Sequence, residues 1–315
     1  MKALIIGHSG QDGKLLVEQL LARRYGLAGF SGRTFYSNCG FQPNSAPNVL
    51  NYNQMAWLVS SLKPDEIYYL AAYNFSSEDN LDEQSDARFT KNRQTHVDGL
   101  LNVLEAVRQH SPRSRLFYAG SSLVFGDWAG TKQDEDTRFD PEGFYGITKA
   151  IGTVLCREYR LKYDLFCVAG ILYNHESIYR SKNYLSSKLI RQAIQIKQGA
   201  ISHITVGNPE ASVDWGYAPD YVDAFTRTLK LDEPENFVIA TGQLHTVQDF
   251  IDAVFDCLGI DPQDKINVDE QIMARKHKTR VGDASKLRRL TGWSPSLDFR
   301  GMIARLVEQR LQNPG

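Results

Sequence analysis

The sequence predicts an α/β fold, a doubly wound parallel sheet carrying a smaller mixed α/β lobe. Three observations lead there. Short apolar runs alternate with amphipathic stretches long enough to be helices, and such alternation implies a parallel sheet covered on both faces. The first apolar run, Lys2 to Ile6, ends in a glycine-rich loop. The alternation then weakens after Ile171, where short strand signals and scattered helices take over. The expected division is 1–172 for the sheet domain and 173–315 for the second lobe. No Pro/Ser-rich linker separates them, so later segments are expected to return to the sheet.

The elements follow in order. Lys2 to Ile6 is a β-branched, apolar strand. Asp12 is placed to cap a helix whose Leu16, Val17, Leu20 and Leu21 form one stripe. Leu27 to Ser31 is a second strand, and the Gly/Asn/Pro-rich stretch from Gly32 to Pro47 reads as loop. Helix is expected over Gln54 to Leu62 and strand over Glu66 to Ala72, with Lys63-Pro64-Asp65 turning between them. A long helical pattern runs from Gln84 to Gln109, then strand over Arg115 to Ala119, helix over Gly143 to Tyr163 and strand over Leu165 to Ile171. In the second half, helices are expected at Asn183 to Gln198, Pro219 to Lys230 and Val247 to Leu258. Strands are expected at His203 to Val206 and Asn236 to Ala240, and a last helix aligns Phe299, Ile303, Leu306 and Val307.

Composition excludes several classes. Among 315 residues, 36 are Lys or Arg and 37 Asp or Glu, for a net charge of −1, so the basic excess of a nucleic-acid binder is missing. At 42% hydrophobic, the chain has ample material for a core. The four cysteines, Cys39, Cys156, Cys167 and Cys257, are irregularly spaced and form no C-x-x-C pair. Reduced, packed thiols in the cytoplasm are expected, with no metal site. No apolar run reaches membrane-spanning length, and the N-terminal run stops after Ile6, so it reads as a strand rather than a signal peptide.

Two constellations carry chemistry. Gly7-His8-Ser9-Gly10-Gln11-Asp12-Gly13 lies between the first strand and the first helix. Glycines there let the backbone approach a pyrophosphate, and the helix N-terminus offers N–H groups and a positive dipole end. This is a Rossmann-type cradle. An acid ending the second strand would select NAD; the sequence instead reads Phe30-Ser31-Gly32-Arg33-Thr34, which favours NADP and leaves NAD as the alternative. The second constellation is Tyr145-x-x-x-Lys149, one helical turn apart, with Tyr118-Ala119-Gly120-Ser121-Ser122 ending the preceding strand. An ammonium beside a phenol favours the phenolate, so Tyr145 can exchange a proton with a sugar or alcohol hydroxyl while Ser121 or Ser122 binds the same oxygen.

These residues, taken together, resemble the extended short-chain dehydrogenases/reductases and, within them, the GDP-mannose 4,6-dehydratases. Matching strings include Gly10-Gln11-Asp12-Gly13, Lys63-Pro64-Asp65-Glu66-Ile67-Tyr68, Val97-Asp98-Gly99-Leu100 and Tyr145-x-x-x-Lys149. They continue with Asn174-His175-Glu176-Ser177, Asp214-Trp215-Gly216, Gly282-Asp283-Ala284-Ser285 and Thr291-Gly292-Trp293. The resemblance runs from end to end and implies a nicotinamide cofactor and a nucleotide sugar. Cofactor candidates are Gly7, Ser9, Gly10, Gln11, Asp12 and Gly13 in the loop, then Arg33, Asn48, Leu70 and Ala71, with Tyr145 and Lys149. The resemblance places Asn174 on the substrate diphosphate and Lys188 on the nucleotide; Tyr73, Glu176, Asp214 and Arg275 complete the substrate candidates.

Departures from the family pattern matter as much. Its Thr-Ser-Glu is here Ser121-Ser122-Leu123, and an aliphatic side chain cannot exchange the proton that dehydration requires. His96 stands at a usual Asn, and Tyr73-Asn74-Phe75-Ser76 replaces Gln-Ser-His-Val; either is a substitute acid/base or a reshaped pocket wall. Two substrate arginines become Val213 and Met273, with Arg275 a replacement for the second, and Asn48 stands at a usual Asp. The expected function is an NAD(P)-dependent oxidation, reduction or epimerisation at sugar C4 of a GDP-hexose or GDP-heptose. The alternatives are a 4,6-dehydratase with a rearranged base and a silent cofactor-binding sensor. A homodimer built from the Gln84–Gln109 and Gly143–Tyr163 helices is expected, with neither nucleic acid nor membrane as partner.

Overall fold

In the computed structural model, which describes residues 1–73, 85–126, 130–269 and 279–313, strand β1 (Lys2–Ile6) lies inside a seven-stranded sheet. Its neighbours are β2 (Gly26–Ser31) and β4 (Glu66–Tyr69), both parallel. β5 (Arg115–Ala119), β6 (Cys167–Leu172) and β11 (Asn236–Ile239) extend the sheet in parallel from β4. β3 (Thr34–Ser37) closes the other edge antiparallel to β2, giving the order β11-β6-β5-β4-β1-β2-β3. The expectation of loop throughout Gly32 to Pro47 is therefore corrected. Gly32, at φ +54°, turns the chain so that Phe35 pairs with Phe30, and Phe35 packs into the core.

The period-two rule sorts β1 between two cores. Ala3 and Ile5 face helix α1 (Gln11–Ala22) and α7 (Ala218–Thr228), which pack together, with Leu287 of α9 (Ser285–Thr291) in the same cluster. Leu4 and Ile6 face α2 (Tyr52–Leu62), α4 (Gly99–His110) and the Cys156–Tyr159 side of α5 (Gly143–Tyr163). Thus β11, α7 and α9, all from beyond residue 173, help build the sheet domain.

The long pattern from Gln84 to Gln109 is not one regular helix. α3 (Ser85–Arg93) runs into a π-helical turn over Gln94–Asp98 before α4 begins. A π turn admits one residue more than the α-helical register, and such turns mark functional sites. Gly99 follows it because a Cβ there would lie 2.6 Å from the Tyr69 hydroxyl and 2.9 Å from Val49.

The second lobe has its own core between α6 (Leu185–Lys197), α8 (Val247–Leu258) and α10 (Phe299–Gln312). α8 starts in a capping box, Thr246 with Asp249, and ends at Gly259 in the left-handed region. Three two-stranded pairs edge the lobe: β7 (Asn174–Glu176) with β10 (Trp215–Tyr217), β8 (Ile204–Val206) with β13 (Ile266–Val268), and β9 (Ser212–Val213) with β12 (His245–Thr246). All four cysteines are free.

Candidate active site

The C-terminal ends of β1, β4, β5 and β6 lie along one edge of the sheet, the edge at which doubly wound folds bind ligands. The loop after β1 is shaped by close backbone approach. Gly7 has φ +100°, and a Cβ on it would sit 2.8 Å from the Ala71 nitrogen and 2.9 Å from the Leu70 carbonyl carbon. A Cβ on Gly13 would lie 2.2 Å from the Gly7 oxygen. Leu70 and Ala71 thus form the wall behind the cradle. The Ser9 amide donates to Ser31 Oγ (3.1 Å), tying the loop to the end of β2. Gly10 caps α1 without a side-chain hydrogen bond, so the helix meets that edge with backbone N–H groups. This geometry fits a pyrophosphate. Arg33 is exposed at the β2–β3 turn, and Asn48 is exposed before α2, its Oδ1 accepting from the Leu50 amide (3.0 Å).

The side chains of two predicted cofactor residues are held by β7 and the turn after it. Asp12 does not cap α1; it lies in the first turn, and its carboxylate meets His175 Nε2 at 3.1 and 3.2 Å. Gln11 Nε2 donates to the His175 carbonyl (3.0 Å), and its Oε1 accepts from Ser177 Oγ (2.9 Å). Both side chains fasten the cradle to β7.

The catalytic candidates gather between β5 and α5. Ser121 and Ser122 are buried just past β5, and Ser121 Oγ accepts from the Leu123 amide (3.2 Å). α5 comes close enough that a Cβ on Gly146 would sit 2.4 Å from the Leu123 oxygen. Tyr145 and Lys149 share the first turns of α5, with Lys149 Nζ 5.7 Å from the Tyr145 ring centre. Lys149 is 1% exposed and donates to the Ala119 carbonyl (2.7 Å). Burial pulls its pKa down to about 7, against the pull of Asp12. Burial, with Tyr184 nearby, raises the Tyr145 phenol, which Arg180 opposes.

His96 sits on the π turn, edge-on to Tyr145 with ring centres 5.0 Å apart. Its Nε2 accepts from the Tyr73 amide (3.1 Å), so in the neutral ring Nδ1 carries the hydrogen and donates to Thr148 Oγ1 (2.8 Å). Burial first, then Lys149, holds its pKa well below the usual histidine range. Both nitrogens have protein partners, which favours the pocket-wall reading of His96 over a substitute acid or base. Of the neighbouring replacement string, Asn74, Phe75 and Ser76 lie outside the described residues. The Tyr73 hydroxyl accepts from Lys91 Nζ (3.0 Å).

In the second lobe, Asn174 is exposed on β7 and Lys188 half-buried on α6. Glu176 and Asp214 are engaged by protein groups. Glu176 is 3% exposed, accepts from Ser186 Oγ (2.5 Å) and pairs with Arg180 at 3.3 Å. Asp214 is 1% exposed and accepts from the amides of Thr241, Gly242 and Gly282 and from the Thr241 hydroxyl. Both carboxylates bind protein. Arg275 and Met273 lie outside the described residues. Sequence reasoning missed Arg180, which stacks on Tyr184 at 3.8 Å and acts on Tyr145; its one signal was its place four residues after Glu176.

A glycine cradle at the first βα turn and a half-buried Tyr145 over a buried Lys149, beside a serine strand end, define a nicotinamide-dependent enzyme of the short-chain dehydrogenase/reductase type. Comparison narrows this. The sequence model of the family described as GDP-mannose 4,6 dehydratase matches residues 4–306. GDP-mannose 4,6 dehydratase 2 of Arabidopsis thaliana is 34% identical over 98% of this chain and 87% of its own. GDP-mannose 4,6-dehydratase of Vibrio cholerae is 30% identical over 99% and 94%. The chain belongs to the GDP-mannose 4,6-dehydratase family, and it is an NAD(P)-dependent nucleotide-sugar enzyme. Among solved structures, RMD from Pseudomonas aeruginosa complexed with NADPH superposes with a TM-score of 0.82 at 20% identity, covering all of both chains. UDP-glucose 4-epimerase of Thermus thermophilus in complex with NAD gives 0.81 at 19% identity, covering 99% and 100%. At those identities the structures establish the shared fold.

Proposed function

We propose that this chain is an oxidoreductase at C4 of a GDP-linked sugar, oxidising, reducing or epimerising through a 4-keto sugar and stopping short of dehydration. One observation carries the reading: Lys149 lies beside Tyr145 on α5 and Ser121 follows β5, whereas the usual glutamate position holds Leu123 and both His96 nitrogens have protein partners. Bound NADP, or NAD in its place, supplies the hydride acceptor. Ser121 hydrogen-bonds the C4 oxygen, and Tyr145 takes its proton, aided by the Lys149 charge. Asn174 is the proposed contact of the substrate diphosphate and Lys188 of the nucleotide, and Arg33 and Asn48 contact the adenosine half of the cofactor. The lobe division near residue 172 is part of this reading.

Exposed Phe144, Ile147, Ile151 and Val154 form a stripe on α5, with Leu101 exposed on α4. That stripe supports a homodimer through these helices. Among the described residues no helix is long and apolar enough to cross a membrane. Four free cysteines favour the cytoplasm.

The test is NMR of GDP-mannose incubated with protein and NADP, after the released cofactor has been identified on denaturation. A 4-keto or C4-epimeric hexose that keeps its C6 hydroxyl supports the reading. Accumulated 4-keto-6-deoxy sugar overturns it in favour of dehydration. Tyr145→Phe should lower turnover by about 10²–10⁴-fold.

A further inference from the structure

We propose that His175 is a positioning residue, a buried imidazolium that fastens the cradle helix to the strand carrying Asn174 and offsets the Asp12 charge beside the catalytic pair. The hydrogen-bond geometry requires the charge. His175 Nδ1 lies 2.6 Å from the Tyr173 carbonyl, which only accepts. Nε2 faces the Asp12 carboxylate at 3.1 and 3.2 Å, which when ionised only accepts. Each ring nitrogen therefore needs a hydrogen. A neutral ring would leave one pair of acceptors facing a lone pair.

The surroundings maintain this state. His175 is 8% exposed, and its ring stacks on Tyr221 of α7 at 4.5 Å. The charged and titratable groups that face it are Asp12 from α1, Arg180 from beyond β7 and Tyr221. Burial and Arg180 work against the imidazolium, and Asp12 outweighs them, so the net shift is upward. The same partnership holds Asp12 low against its own burial. Gln11 adds two neutral bonds, to the His175 carbonyl and to Ser177 Oγ, which make the clasp directional. Further along α1, Glu18 accepts from the Tyr179 hydroxyl (2.5 Å).

Two consequences follow. α1 presents its N-terminus to the pyrophosphate only while its first turn is held, so the clasp sets the cradle. The Asp12 charge also acts on the active site, opposing ionisation of Tyr145 and favouring protonated Lys149. With His175 protonated the pair is neutral overall, and Tyr145 is spared an uncompensated anion. The link from β7 to substrate rests on the proposed role of Asn174; the charge state and the cradle do not.

Nitrogen-15 NMR of the histidine rings in the full chain tests the charge directly. Both His175 nitrogens should carry hydrogen at pH 6.5, where a free imidazole is largely split between its two forms, and a mainly neutral ring there overturns the proposal. His175→Gln should raise the NADPH dissociation constant about tenfold. It should also move the acid-side limb of the pH–rate profile for C4 oxidation, set by the Tyr145 base, upward by about one unit. Adding Asp12→Asn to that variant removes the stranded charge and should return the limb to its original position. A limb that His175→Gln leaves in place, or that the double variant fails to restore, reduces His175 to packing and overturns the electrostatic role. Should no nucleotide sugar react, the C4 reading falls, while the ring spectra and the NADPH affinity still decide this one.

Discussion

Lys149→Met removes a buried cation, and its effect on stability should change sign with pH. Lys149 is 1% exposed, and burial lowers its pKa from 10.5 to about 7. At about 1.4 kcal/mol per tenfold change, holding that ammonium in the cofactor-free fold costs roughly 5 kcal/mol once pH is well below 7. The folded pKa lies below the unfolded one, so between about 7 and 10.5 the unfolded chain binds more protons. The penalty is therefore full below pH 7 and fades as pH rises toward 10.5. Methionine fills similar volume without the charge but strands the Ala119 carbonyl that Lys149 Nζ reaches at 2.7 Å, a loss of about 1–3 kcal/mol. The variant should be more stable than the parent by about 2–4 kcal/mol at pH 6, and less stable by about 1–3 kcal/mol at pH 10.5. Urea unfolding of the cofactor-free protein at pH 6, 8 and 10.5 measures both. Parallel pH curves for the two proteins would refute the reasoning.

Gly13→Ala places a Cβ 2.2 Å from the Gly7 oxygen and should cost about 3 kcal/mol or more and abolish NADPH binding. Gly10→Ala, whose Cβ would meet that oxygen at 3.5 Å, should change both little; melting curves with NADPH titration compare them. Leu123→Glu should give 4-keto-6-deoxy sugar from GDP-mannose by NMR, and its continued absence would show that more than one carboxylate separates this site from dehydration. Ile151→Glu, on the exposed stripe of α5, should convert a dimer to monomer in light scattering without loss of helicity; an unchanged mass would remove α5 from the interface.

What the sequence made legible tracks how local the governing physics is. β5, α5 and α8 have the expected bounds because apolar period, caps and flanking turns all fall within one window. β3 escaped because its T-F-Y-S run sits in a stretch whose Gly, Asn and Pro speak for loop, while pairing with Phe30 is a tertiary fact. The π turn escaped because one added residue hardly disturbs an apolar stripe. In the site, residue types and spacing located Tyr145, Lys149, Ser121 and the cradle glycines. They could not show which way a polar side chain turns: Gln11 and Asp12 belong to the cradle in sequence and to β7 in space.

The charge balance gains a local meaning from this. Two acids beside the cradle are matched by cations, Asp12 by His175 and Glu176 by Arg180. Lys149 is only partly charged near pH 7. Anionic ligands must therefore draw attraction from groups without a resident partner acid, first among them the N-terminal amides of α1, which carry no side-chain cap. That attraction is short-ranged and directional, and it depends on the helix being held at one angle. A crevice that recognises phosphate mainly through backbone N–H groups gains specificity from the rigidity of its fastening. This is the physical reason a largely buried Asp12–His175 pair, costly to desolvate, belongs at the first turn of α1.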